Sequence, residues 1–118
     1  MTNGVDREDL ATRLDLGLAR LGLNPAPDQR ERLLAFLRLL ERWNQAYNLT
    51  AVRDPWEMIP RHLLVSLSVL DCMRGEAILD VGTGAGLPGL PLSVLEPERH
   101  FHLLDSNGKK VRFVRHVV

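Results

Sequence analysis

Leucines occupy most of the apolar positions in the first part of the chain, and their spacing is helical. Leu10, Leu14, Leu18 and Leu21 recur with Arg13, Asp15 and Arg20 between them, which is the pattern of a helix burying one stripe. Met1 to Asp6 is polar and expected to fray, so the helix is read from Asp6 onward. Gly22 and Asn24-Pro25-Ala26-Pro27 end it. A second helix starts at Asp28 or the residue before it and carries Leu33, Leu34, Phe36, Leu37, Leu40, Trp43 and Tyr47 on its apolar side. Glu31, Arg32, Arg38, Glu41 and Arg42 make its solvated face. The wide stripe predicts a helix central to a small helical subdomain.

The helical pattern runs out at Asn48-Leu49-Thr50, and Asp54-Pro55 supplies an N-cap and first-turn pair for the next element. Pro60 sits inside that element, which predicts a short helix from Pro55 to Ile59 and a kink or restart before Arg61-His62. Leu63, Leu64, Leu67, Val69 and Leu70 then predict a buried helix ending around Asp71 to Arg74, and Gly75 makes the turn out of it.

From here the period changes. Ala77-Ile78-Leu79 runs through Asp80-Val81 as a short apolar strand, and Gly82, Gly84, Gly86 and Gly89 crowd into a segment that turns helical over Leu87 to Leu95. Phe101-His102-Leu103-Leu104 is a second strand ending on Asp105. Ser106-Asn107-Gly108 is a turn or helix start, and Lys109 to Val118 begins a basic amphipathic helix with Val111, Val114 and Val118 in phase. The order helix, helix, strand, glycine turn, helix, strand predicts an α/β fold. A helical part over 1–74 precedes a strand-containing part over 75–118.

Composition changes this picture little. The chain has 118 residues, 45% of them apolar, and 15 basic against 15 acidic residues, so any nucleic-acid surface must be local rather than a property of the net charge. The single cysteine, Cys72, excludes an intramolecular disulfide framework and is expected to fill a packing position at a helix end. No apolar run approaches a membrane span and no signal-like start is present, so a cytoplasmic protein without membrane contact is expected. Nothing in the pattern calls for a metal.

The glycine segment carries the candidate chemistry. A strand, a glycine turn and a helix place backbone N–H groups at the positive end of the helix, where a nucleotide-like cofactor comes close. A dinucleotide loop wants its third glycine three places after Gly84, and Leu87 stands there. An acid before the first glycine, with Gly82, Gly84 and Gly86 at every second place, suits S-adenosylmethionine better, because its ammonium and sulfonium can be balanced by a carboxylate. On that reading the three glycines lie against the methionine part and the ribose. Asp105 accepts from the ribose hydroxyls, and Asp80 helps hold the amino end. The bland reading is that the glycines only make a tight turn and Asp105 only caps the following helix.

Four blocks in one order resemble a known family: WNQAYNLTAVRDPWEM (Trp43 to Met58), Arg61-His62, DVGTGAGLPGLPL (Asp80 to Leu92) and LLDSNGKKVRFV (Leu103 to Val114). They are similar to the bacterial ribosomal RNA small subunit methyltransferase G family, also called glucose-inhibited division protein B, from about Gln29 onward. The resemblance implies a helical N-terminal part on a Rossmann-like, class I methyltransferase domain. It also implies S-adenosylmethionine-dependent N7-methylation of a guanine in 16S ribosomal RNA, with that RNA or the small ribosomal subunit as partner. By the same resemblance Gly82 and Leu87 match cofactor-contact positions, and the reading of the residues given above lines the same pocket with Gly84, Gly86 and Asp105, Asp80 being at its amino end. Asn48, Arg53, Arg61 and His62 match polar blocks and become RNA or active-site candidates, beside an interdomain role for Arg61 and His62. Lys109 and Lys110, with Arg112 and Arg115, are candidates for a phosphate-facing patch, against the simpler reading of a solvated helix face.

Two departures from the family pattern stand out. The usual Asp-Ser pair after Arg-His is Val65-Ser66 here. The chain also reads as only the first βαβ portion of the fold, an incomplete sheet. Two parallel strands leave unpaired edges and partly uncovered apolar faces, so self-association is expected and tight cofactor binding is in question. A non-catalytic RNA-binding or dimerisation module, and a nucleotide-dependent oxidoreductase, are the alternative classes.

Overall fold

The computed structural model describes residues 7–118, so the expected fraying of Met1 to Asp6 lies outside the described residues. Helix α1 (Arg7–Arg20) and the long α2 (Pro27–Tyr47) come first. A broken helical run follows as α3 (Pro55–Met58), a π-turn (Ile59–Leu64) and α4 (Val65–Leu67), and then a 3-10 turn at Leu70–Cys72. Strand β1 (Ala77–Val81), helix α5 (Gly89–Leu95), strand β2 (His100–Leu104) and helix α6 (Gly108–Val117) complete the order. The strands are parallel, from Ala77 beside His100 to Val81 beside Leu104, and α5 is the crossover that a parallel pair requires.

α2 organises the packing. Leu33, Leu34, Phe36, Leu37 and Leu40 are all buried, joined by Leu10, Leu14 and Leu18 of α1. The two expected ends of these stripes depart from the prediction. Leu21 and Tyr47 are 39% and 38% exposed, because Leu21 falls in the turn just past the end of α1 and Tyr47 is the last residue of α2. The position where the stripe continues beyond Leu40 is instead Asn44, 1% exposed. Its amide donates to the Val52 carbonyl at 3.2 Å and accepts from the Thr50 N–H at 2.8 Å. A buried amide with both ends satisfied folds the 48–53 loop back onto α2.

Pro60 explains the break in the third helical run. Proline has no N–H to give the carbonyl four residues earlier, and its ring crowds that carbonyl. The carbonyl is that of Trp56, and Arg13 Nε of α1 donates to it at 3.0 Å while the guanidinium lies 4.3 Å from the centre of the Trp56 ring. The chain widens into a π-turn rather than kinking outward, and Met58, Ile59, Leu63 and Leu67 are all buried. α1 crosses this run closely. A β-carbon on Gly17 would lie 2.3 Å from Leu64 Cδ1.

The regular helix ends at Leu67, earlier than the sequence pattern predicts, and Val69 is exposed. Cys72 is exposed as well, so the packing position expected for it is not where it lies. Its 3-10 turn lies between the helical run and β1, with Leu70 packed against the core and Asp71 and Cys72 exposed.

The core continues from the helices into the strand-containing part. Phe113 of α6 is fully buried, its ring 6.0 Å from that of Phe36 and 5.6 Å, edge-on, from that of Trp43. Gln29 at the start of α2 donates to the Val94 carbonyl of α5 at 3.3 Å. One face of the sheet, with Ile78, Asp80, Phe101 and Leu103, is half-buried on this side. The other face is open, with Leu79, Val81 and Leu104 at 61%, 71% and 54% exposure. Because Phe113 bridges α6 to α2, Phe113→Ala is expected to destabilise the chain by about 3–5 kcal/mol. Tyr47→Ala, at the exposed end of the same aromatic group, is expected to cost less than about 1 kcal/mol. Urea titration of the two variants measures the difference.

Candidate functional site

The glycine loop between β1 and α5 is held by two carboxylates, one at each strand end. Asp80 Oδ2 accepts from the Thr83 hydroxyl at 2.8 Å and from the Gly89 N–H at 2.9 Å. A β-carbon on Gly89 would sit 2.8 Å from that same oxygen and 3.0 Å from Leu103. The last glycine of the segment therefore lets α5 start directly against the strands. Asp105 Oδ2 accepts from the Gly84 N–H at 2.8 Å, and its Oδ1 accepts from the Asn107 N–H at 2.8 Å. These two backbone bonds, Asn107 first, hold the Asp105 carboxyl below the ordinary carboxylate range, and the Lys110 charge acts the same way.

Other loop N–H groups are also bonded inside the chain. Gly82 and Thr83 both donate to the Leu104 carbonyl, at 2.7 and 3.0 Å, which extends the sheet into the loop. Gly86 and Leu87 both donate to the Thr83 carbonyl, at 3.0 and 2.9 Å. The expected row of amides facing a ligand is thus turned inward. What the loop presents to its surroundings is glycine backbone between two carboxylates. Thr83, 4% exposed, was not singled out by sequence pattern, although a hydroxyl three places after an acid in a glycine turn is the signal for such a bond.

Asp105 does not cap α6. Asn107 does, its Oδ1 accepting from the Lys109 and Lys110 N–H groups at 3.0 and 3.2 Å. The cap aims the next two side chains differently. Lys109 is exposed, whereas Lys110 lies over the loop, with its Cδ and Nζ 3.9 and 4.0 Å from where a β-carbon of Gly84 would be. Arg112 and Arg115 are exposed, and Arg115 lines a cavity of about 280 Å³ with Thr83, Leu103, Asp105 and Val114.

The second group of candidates lies around the 48–53 loop and the π-turn. Asn48 closes α2 in the left-handed conformation, φ 53°, and its side-chain oxygen accepts from Arg53, whose guanidinium also donates to the Asn44 carbonyl at 3.2 Å. His62 is half-buried, with Nε2 2.8 Å from the Thr50 hydroxyl, and burial pushes its ring below the ordinary imidazole value. Asn48, Arg53 and His62 thus work within the fold, tying the loop to α2 and to the π-turn. Arg61 is exposed and stands with His62, Val65, Ser66, Leu87 and Pro88 around a cavity of about 220 Å³. That cavity brings the Arg-His block beside the residues that follow the glycine loop. Among the described residues no cluster of His, Cys, Asp or Glu could hold a metal ion, and no helix is long and apolar enough to cross a membrane.

The profile described as rRNA small subunit methyltransferase G matches residues 29–118. The chain belongs to that family. A ribosomal RNA small subunit methyltransferase G from Chromohalobacter salexigens is 61% identical over 106 residues, which is 90% of this chain and 51% of that protein. One from Methylococcus capsulatus is 56% identical over 105 residues, covering 89% of this chain and 51% of the relative. One from Escherichia coli is 51% identical over 108 residues, covering 92% and 52%. The chain spans about half the length of these curated relatives of the methyltransferase G family. The matched region includes the glycine loop, both carboxylates and the Arg61-His62 cavity.

The loop makes a graded prediction. Gly82 has φ +72° with open space around it, so Gly82→Ala is expected to cost only the backbone strain of about 1–2 kcal/mol. Gly86 has φ +85°, and an added β-carbon would meet Leu90 Cδ1 at 2.2 Å and Cγ at 2.7 Å. Gly86→Ala is therefore expected to be the more damaging change, with a lower thermal midpoint than Gly82→Ala by circular dichroism.

Proposed function

We propose that this chain carries the cofactor loop of an S-adenosylmethionine-dependent methyltransferase that modifies N7 of a guanine in 16S ribosomal RNA. The reading takes the fold as the first βαβ portion of a Rossmann-like class I methyltransferase domain over 75–118, preceded by a helical part over 1–74. One observation carries the choice of cofactor class. The N–H groups of Gly82, Thr83, Gly84, Gly86 and Leu87 are already bonded within the chain, and carboxylates flank the loop. A pyrophosphate needs those donors, whereas an ammonium and a sulfonium need the carboxylates. This disfavours the nucleotide-dependent oxidoreductase.

On this reading Asp105 keeps a lone pair on each oxygen for the ribose hydroxyls, and Asp80 offers its Oδ1 towards the amino end. Gly82, Gly84, Gly86 and Leu87 provide close backbone and apolar contact. When bound, S-adenosylmethionine supplies an electrophilic methyl group. Guanine N7 has a free in-plane lone pair on the major-groove edge, so the protein needs no general base, and no residue is assigned a catalytic role. Its part is to align the two reactants and exclude water. Arg61, exposed beside Leu87 and Pro88, is suited to the acceptor edge of a guanine. Asn48, Arg53, His62 and Lys109 are the remaining RNA-contact candidates, the first three also serving the fold. Such a protein works on ribosomal RNA in the cytoplasm.

Calorimetric titration of the chain with S-adenosylhomocysteine tests this reading. Saturable binding that Gly84→Val abolishes is expected, and the absence of saturable heat with the unaltered chain would overturn it. Ribosomal RNA binding that persists without the cofactor would instead favour a non-catalytic RNA-binding or dimerisation module.

A second property rests on the open sheet face. Leu79, Val81 and Leu104 are each more than half exposed side by side, and a two-stranded parallel sheet leaves both edges unpaired. The chain is proposed to self-associate through these unpaired strand edges, with the open face beside them. Sedimentation at micromolar concentration is expected to find oligomers that Leu79→Lys with Val81→Lys dissolves, and a monomer before substitution would refute the idea.

A further inference from the structure

The two lysines that open α6 look alike in sequence, and the structure separates them. Lys109 points away into solvent. Lys110 is half-buried and folds back over the glycine loop, its ammonium 4.0 Å from the place a Gly84 β-carbon would take. It faces Asp105, whose carboxyl its charge lowers. Yet no ion pair within 4.0 Å and no side-chain hydrogen bond joins Lys110 to any group among the described residues. Asp105 has both oxygens engaged by backbone N–H groups instead. An ammonium with three donors therefore hangs over the loop without an acceptor.

The ligand class of the previous subsection has one anionic group, the carboxylate of its amino-acid end. Most of the loop's amides are closed to that charge, because those of Gly82, Thr83, Gly84, Gly86 and Leu87 have internal acceptors. We propose that Lys110 is the counter-charge for the ligand's α-carboxylate, closing over Gly84 from α6, and that it belongs to the cofactor site rather than to an RNA-facing patch. The loop then lies between an acid, Asp80, on the side of the amino group and a base, Lys110, on the side of the carboxylate. This pairing selects a zwitterionic amino-acid end and gives the loop a reason to prefer the intact cofactor over its decarboxylated form. It also explains why the Asn107 cap matters, since that cap sets the direction of the first helical turn.

The assignment rests on the cofactor reading, and the two are separable by experiment. The chain and its Lys110→Gln and Lys110→Arg variants are titrated calorimetrically with S-adenosylmethionine and with decarboxylated S-adenosylmethionine, which differs only in the missing carboxylate. Loss of one charge-assisted contact is expected to weaken S-adenosylmethionine binding by about tenfold or more in Lys110→Gln. The decarboxylated ligand should bind that variant as well as it binds the unaltered chain, and Lys110→Arg should keep the preference for the carboxylate. Equal weakening for both ligands, or no change with either, would overturn the role of Lys110 and leave the cofactor reading intact. Binding of neither ligand by the unaltered chain would overturn both.

Discussion

Two carboxylates at the ends of adjacent parallel strands determine the shape of everything around them. Asp80 ties Thr83 and the first N–H of α5 to β1, and Asp105 ties Gly84 to β2. With the backbone bonds of Gly82, Thr83, Gly86 and Leu87, they fix one path for a glycine-rich segment that has many accessible conformations. The register of the strands sets where the two acids stand, Asp80 opposite Leu103 one residue before the Val81–Leu104 pair and Asp105 one residue after it. The register is supported in turn by the half-buried face that packs on α5 and, through Phe113 in α6, on α2. A site made of short loops thus depends on the long second helix.

The elements of this fold were legible because their periods are clean. α1, α2, both strands and the start of α6 fall where leucine spacing, proline positions and the apolar runs put them, within a residue or two. The third helical run was legible only as a disturbance at Pro60. The Trp56 carbonyl that Pro60 leaves without its donor is taken up by Arg13, which is distant in sequence. Asn44 was hidden for a related reason. Asparagine reads as a surface residue, and only the fold shows that its amide closes the 48–53 loop from inside.

Around the loop after β1, the glycines and both acids were readable from spacing, while the direction of each hydrogen bond was not. Pattern alone suggested amides facing outward, and the structure has them facing inward. The same limit applies to Lys109 and Lys110, neighbours whose paths part by the helical turn between them once Asn107 caps α6. Among the polar candidates, Asn48 and Arg53 proved to be partners of each other, and His62 a partner of Thr50. Family resemblance marked these positions without distinguishing a residue that holds the fold from one that meets a ligand.

The shared Leu104 carbonyl has one more effect. With Gly82 and Thr83 both donating to it, the beginning of the loop is bonded to β2 as a continuation of the sheet. A ligand of the proposed class would meet a surface that is already shaped, so little chain entropy would be lost on contact. Its encounter would then be governed by diffusion and fit instead of by waiting for a segment to fold.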